Sequence, residues 1–334
     1  MPGSRAGQRG GATLERLWDR SEDGPRVGNS RATPRGAGLP TTLRDRYDGP
    51  LCVTLHRDRP TVIANFVSTL DGVVAFDADG RSGGGEVSGF SEPDRFVMGM
   101  LRAMADVVLV GAGTVRAAPT HEWTPRHVHR ASAELYQTWR RQMGVQSGQP
   151  TTIVATATGS LDPKHPGLSA LDVPVVVATT QAGAERLKAV GPASNVRIEI
   201  AGAGPVITPA ELVELAGSVG ARLILCEGGP HLIGELLKEN LLDELFLTVA
   251  PQVAGRDATA HRLALVEGAA FDAATAPWAE LGSVRRSGDH LFLRYRMTVP
   301  HPDRRIDGEV HLFGRLGCPD PMARICPSPG SARP

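Results

Sequence analysis

Cysteine is scarce. The 334 residues hold 4, Cys52, Cys226, Cys318 and Cys326, with no CxxC pair and no His/Cys ligand spacing. That excludes a disulfide framework and a zinc-finger type of site, and the four read as free thiols. Charge of one sign is also lacking: 36 Lys and Arg balance 36 Asp and Glu. No general attraction to nucleic acid or to an anionic membrane surface is expected. No apolar run approaches the ~20 residues of a membrane span. No apolar stretch follows the Arg-bearing N-terminus "MPGSRAGQRGG", so a secretory signal is not expected and the cytoplasm is the default compartment. No repeat of 20–50 residues is visible, and neither glycine turn discussed below carries the full GxGxxG dinucleotide fingerprint.

What is present is the composition of a globular chain with long tails, 41% apolar and 22% charged, with 39 Gly and 26 Pro. Residues 1–50 are rich in Gly, Arg, Ser and Pro without apolar periodicity, and read as a disordered tail apart from a possible short helix at "ATLERLWDR". Residues 299–334 read as a second, Pro-rich tail. The folded unit is placed at 51–298. There, apolar strands ("TVIANFVS", "DVVLVGAG", "TTIVAT", "VPVVVATT", "VRIEI", "RLILC", "ELFLTV") alternate with amphipathic helices. One helix starts at Ser91 with Glu92 and Asp94 in its first turn; another at Thr208 with Pro209. Continuous Val/Ile/Leu strands separated by helices predict an α/β fold: a mixed, mainly parallel sheet flanked by helices. The last two strands follow without a helix between them, so the sheet should end antiparallel.

Two segments share one design. In "VVLVGAGTVRA" a strand runs into Gly111, Ala112, Gly113 and Thr114; in "LILCEGGPHLIGEL" a strand runs into Gly228, Gly229 and Pro230 and then a helix. Each would present free backbone N–H groups and the positive end of a helix dipole at the carboxyl end of a strand, where anions bind. Most Gly-Gly turns after strands are only tight turns. Two on adjacent strands would make a cleft for both phosphates of a dinucleotide. Glu227 is either a turn carboxylate or an acceptor for the paired N–H donors of a heterocycle. Asp71 in "LDG" is either a turn residue or a polar group at the cleft mouth. Arg102 either snorkels to solvent or binds a substrate phosphate through its planar fork. His121, His127 and His129 read as a solvated loop rather than a metal site, and "SGGGE" at residues 82–86 as a flexible loop or lid.

Together, "RPTVIANFVSTLDGVVA", "FVMGMLRAMADVVLVGAGTVRAAP" and "LILCEGGPHLIGELLKENLLDELFLTVAPQVAG" resemble the C-terminal reductase domain of bifunctional riboflavin biosynthesis proteins, a dihydrofolate-reductase-like family, over about residues 58–298. The resemblance implies NADPH bound across the two glycine turns, touching Thr114 and the run Gly229, Pro230, His231, Leu232, Ile233, Gly234 and Glu235. It implies Arg102 and Glu227 facing the substrate, Asp71 near the reacting centre, and a homodimer. It implies reduction of the ribosyl group of a phosphorylated aminopyrimidine to ribityl. The HxE and PCxxC residues of the zinc deaminase half are missing, so the chain is expected to be monofunctional. The family's "TVxADDP" reads Thr114 to Pro119 "TVRAAP" here, without the carboxylate that helps shape the ribose site. That leaves a pterin-like substrate, or a non-catalytic nucleotide-binding module, as alternatives. Thr179, Thr180 and Gln181 are candidate donors for the 2′-phosphate of NADPH.

Overall fold

Val107, Val108, Leu109 and Val110 are all at most 1% exposed. A strand apolar on both sides must lie inside a sheet covered on both faces, and the computed structural model, which describes residues 12–20, 34–76, 83–145 and 148–298, has that form. Its main sheet comprises β1 (Glu15–Asp19), β2 (Thr61–Ser68), β3 (Val107–Gly111), β4 (Thr151–Thr156), β5 (Val175–Thr179), β6 (Val196–Ile200), β7 (Leu223–Cys226), β8 (Glu244–Val249), β9 (Trp278–Ser287) and β10 (His290–Thr298). The helices used below are α1 (Thr41–Tyr47), α2 (Gly84–Ser88), α3 (Glu92–Met104), α4 (Ala112–Ala117), α5 (Ala133–Gln142), α6 (Gln181–Val190), α7 (Pro209–Ser218) and α8 (Pro230–Lys238).

The strand order is β1-β9-β10-β8-β2-β7-β3-β4-β5-β6. From β8 to β6 every neighbouring pair is parallel. β10, β9 and β1 then add antiparallel, so the mixed sheet and its antiparallel end agree with the sequence. Alternation sorts each strand's side chains onto two faces. Leu223 and Leu225 join Met100 and Leu101 of α3 on one face. Ile224 and Cys226 join Leu212 of α7 and Ile233 and Leu236 of α8 on the other. Each such aliphatic side chain contributes roughly 1.5–3 kcal/mol on leaving water.

Local signals set the helix ends. Ser91 accepts the Asp94 N–H to start α3, and Thr208 with Glu211 forms a capping box at α7. No helix among the described residues is long and apolar enough to cross a membrane.

Within the expected disordered tail, residues 15–19 form a strand, not a helix, antiparallel to β9, and residues 41–47 form α1. Leu14, Leu43 and Tyr47 are at most 3% exposed in the core. Arg285, on β9, ties the segment down by donating to Asp19 at 2.8 Å and to the Tyr47 carbonyl at 2.8 Å. These anchors are single apolar residues far apart in a charged context, so no periodicity marks them; an edge-strand partner some 270 residues away supplies the order. The C-terminal tail expected at 299–334 lies outside the described residues.

Candidate active site

β7 lies between β2 and β3, with Ile224 opposite Val107 and Cys226 opposite Leu109. The two strands therefore end side by side, and so do their glycine corners. Gly111 N–H donates to Gly228 O at 2.8 Å and Glu227 N–H to Leu109 O at 3.0 Å. Gly228 has φ +100, a conformation L side chains rarely adopt, and a Cβ there would come within 3.3 Å of Phe66. A Cβ on Gly113, by contrast, would meet nothing within 4 Å. Pro230 starts α8, where its missing N–H leaves no helical bond unmade.

Both corners open onto one cavity of about 790 Å³, a size usual for ligand sites. Its walls include Gly111, Gly113, Thr114, Gly229, Pro230, His231 and Leu232. The rest of the expected cofactor run turns away. Gly228 is engaged with Gly111; Ile233 is buried in the core; Gly234 packs on the Glu267 backbone, where a Cβ would sit 2.6 Å from the carbonyl; Glu235 pairs with Lys238 at 2.6 Å. Residues 83–85, from the Gly-rich segment, also line the cavity, at the start of α2.

Arg102 and Glu227 both reach the cavity, 125 residues apart in sequence and bonded to each other. Arg102 Nε donates to Glu227 Oε1 at 2.8 Å and Nη2 to Oε2 at 2.6 Å, with side chains 1% and 7% exposed. Nη1 donates to the carbonyls of Glu122 and Thr124, and Nη2 also to His121 Nε2 at 2.8 Å. The guanidinium neither snorkels to solvent nor keeps a fork free for a phosphate; it holds Glu227 in place. Glu227 retains lone pairs for further donors. The histidines are no solvated loop either. Burial, then the charge of Arg102, holds the His121 imidazole neutral, at about 2. His127 lines the cavity beside it, ring centroids 4.8 Å apart. His129 is buried against Glu92 at 2.5 Å.

Asp71 does not join the site. It is exposed and accepts from Thr69 Oγ1 at 2.6 Å, Ala254 N–H at 3.1 Å and Gly255 N–H at 2.8 Å. It is a clasp between two loops. The Thr69 hydroxyl foremost, then the Ala254 amide, lowers its carboxyl to about 2. A group depressed in this way stabilises the fold above its ordinary value and loses that effect as pH falls through the folded value. Asp71→Asn should therefore melt below the native protein at pH 7, and the difference in Tm should narrow between pH 4 and 2; a gap independent of pH would refute the clasp. Thr179, Thr180 and Gln181 also lie elsewhere. Thr179 is buried, Thr180 caps α6, and Gln181 donates to Glu185.

The structure adds two residues, Asp94, which the sequence shows only as a helix-start charge, and Arg95, which no motif marks. Asp94 is 4% exposed yet lines the cavity, as does Arg95 beside it. Burial pushes the Asp94 carboxyl up to about 6, against a hydrogen bond from Thr248 and the charge of His290, with the charge of Glu227 adding to the rise. The Arg95 side chain has no hydrogen-bond or ion-pair partner among the described residues, its backbone N–H donating to Ser91 O at 3.2 Å. Positions 94, 95, 98 and 102 share one face of α3, and that face is a cavity wall.

The model of the RibD C-terminal domain matches residues 60–288. A 2,5-diamino-6-ribosylamino-4(3H)-pyrimidinone 5′-phosphate reductase from Methanothermobacter thermautotrophicus is 30% identical over 240 residues, 71% of this chain and 98% of that one. Its namesake from Archaeoglobus fulgidus is 29% identical over 60% of this chain and 84% of that one. Among solved structures, a pyrimidine reductase-like protein from Corynebacterium diphtheriae shares the fold at TM-score 0.55 and 19% identity, over 72% of this chain and 92% of that one. Acinetobacter baumannii RibD does so at TM-score 0.54 and 24% identity, but the 72% of this chain that matches spans only 58% of that longer protein. The side-by-side glycine corners and the acidic pocket thus sit on a fold and a sequence that agree, and the chain belongs to the RibD C-terminal domain family.

Proposed function

We propose that this protein is a reductase of riboflavin biosynthesis, binding NADPH along residues 111–114 and 229–232 and reducing a ribosylaminopyrimidine 5′-phosphate to its ribityl form. The observation that carries the reading is the pair of adjacent corners, bonded Gly111 to Gly228, that open onto one cavity with Glu227 inside it. A reduced nicotinamide supplies hydride when bound. The cradle suits its diphosphate: Gly113 leaves open space where a side chain would stand, and in the first turn of α8, where the Leu232 and Ile233 N–H groups donate to Gly229 O, the His231 N–H has no backbone acceptor among the described residues.

The protein's own groups do the rest. Glu227, anchored by Arg102, accepts hydrogen bonds from the N–H groups along the pyrimidine edge. Arg95, its side chain unpaired, suits the 5′-phosphate, a role the sequence suggests for Arg102, whose fork is taken by Glu227. Thr114 offers a hydroxyl to the dinucleotide. Positioning donor and acceptor together is the main source of rate for such a transfer.

The test is titration with NADPH and NADH in parallel, followed by oxidation assays on the diaminopyrimidinone and aminouracil ribosylamine phosphates and on dihydropterins. NADPH binding in the micromolar range and turnover of a phosphorylated pyrimidine are expected. Turnover of dihydropterins alone would replace the substrate. Tight binding without any turnover would make the chain a binding module.

A further inference from the structure

We propose that Asp94 is the acid of the reaction, holding the proton that the substrate nitrogen takes as the sugar carbon is reduced. The proposal rests on the function just given. In the open-chain form of such a ribosylamine, C1′ is doubly bonded to the nitrogen that joins it to the pyrimidine. C1′ receives hydride from the reduced nicotinamide, the C=N π pair passes to nitrogen, and nitrogen takes the carboxyl proton of Asp94. A C1′–H and an N–H bond form, the two electrons being those of the hydride that a bound reduced nicotinamide would supply, and the Asp94 carboxylate recovers a proton from water.

The geometry selects this residue. A proton donor must reach the cavity and be protonated near neutrality. Asp71, the carboxylate the motif suggested, is outside the cavity and strongly acidic. Glu227 is clamped by both nitrogens of the Arg102 fork as a carboxylate. Asp94 lines the same cavity from α3, 4% exposed. Its neighbours pull in both directions: Thr248 on β8 hydrogen-bonds to it, His290 on β10 and Arg95 on its own helix favour its charge, and Glu227 at the end of β7 opposes it. His290 is itself engaged, Nε2 at 2.9 Å from the Ser88 carbonyl. Desolvation outweighs the favourable neighbours, which leaves two carboxyls in one pocket in different settings, Asp94 raised by burial and Glu227 paired with the Arg102 guanidinium. That division is the usual mark of an acid beside an anionic anchor.

Asp94→Asn keeps the shape and a hydrogen bond to Thr248 but cannot give the proton. On the full chain, kcat should fall by about 10²–10⁴-fold, with the Kd for NADPH, read by fluorescence, within threefold of the native value. The native kcat should decline as pH rises through the carboxyl's raised value, and the variant should lack that limb. A readout independent of turnover is stability. An acid whose folded value is raised stabilises below its unfolded value and loses that effect as pH rises. The Tm of Asp94→Asn minus that of the native protein should therefore grow from pH 4 to pH 7. If the native enzyme turns over the pyrimidine while Asp94→Asn keeps kcat within threefold and the same pH profile, Asp94 is not the acid. If the native chain is inactive on every pyrimidine, the functional reading itself falls, and this proposal with it.

Discussion

Replacing Arg102 by alanine will lower Tm by about 10 °C and abolish turnover. The guanidinium is 1% exposed and all its nitrogens have acceptors, two of them the oxygens of Glu227. Removing it leaves a 7% exposed carboxylate without its counter-charge and takes one donor each from the Glu122 and Thr124 carbonyls, which keep only the Thr124 and Val128 N–H groups. Breaking a buried pair from one side typically costs about 3–5 kcal/mol, which a chain of this size registers as ~2–4 °C per kcal/mol. Arg102→Lys should recover only part, because an ammonium cannot make the fork. The double change Arg102→Met with Glu227→Leu should regain much of the lost stability, since it leaves no buried charge, yet remain inactive. That outcome would separate the pair's structural cost from its use in binding. Differential scanning calorimetry on the three variants decides it; a loss under 1 kcal/mol for Arg102→Ala would show that water or a shift of Glu227 already compensates.

The same pair shows what a sequence can and cannot display. The strands, the helices between them and the antiparallel end were legible because hydrophobic period, caps and glycines are local signals. The adjacency of the two corners was legible only as a condition, since strand order is not written in either segment; the Gly111 to Gly228 bond meets it. Glu227 and Arg102 were each visible as candidates, but nothing local says that residues 125 apart will satisfy each other. Asp94 looked like a helix-start charge, as its N–H bond to Ser91 indeed makes it; that its side chain also points into the cavity depends on which face of α3 meets the sheet. Asp71 failed for the converse reason. An Asp-Gly turn reads the same whichever loop its carboxylate clasps, and here residues 254–255 claim it. In the N-terminal segment, order comes from the edge of β9 and from Arg285, partners that only the folded sheet brings near.

Gly113→Val will raise the Kd for NADPH about 100-fold and leave the fold intact. A Cβ at this position meets nothing within 4 Å, so the branched side chain enters open space rather than the core. Gly113 itself lines the cavity, at the start of α4 and beside the corner that leads into α8. A diphosphate bonded to backbone N–H groups needs its oxygens about 3 Å from nitrogen, closer than valine methyls beside those nitrogens permit. A 100-fold loss corresponds to about 2.7 kcal/mol, near what losing two charge-assisted hydrogen bonds would take away. Valine is a somewhat better helix former than glycine, so Tm without ligand should hold or rise slightly. Gly113→Ala should lie between, with a loss nearer tenfold. Gly228→Val is the contrast: at φ +100 and 3.3 Å from Phe66 it should lower both affinity and Tm. Isothermal titration paired with thermal melts reads all three. If Gly113→Val binds NADPH as the native chain does, the dinucleotide's diphosphate does not lie on this corner, and the cavity's orientation for donor and substrate must be reversed.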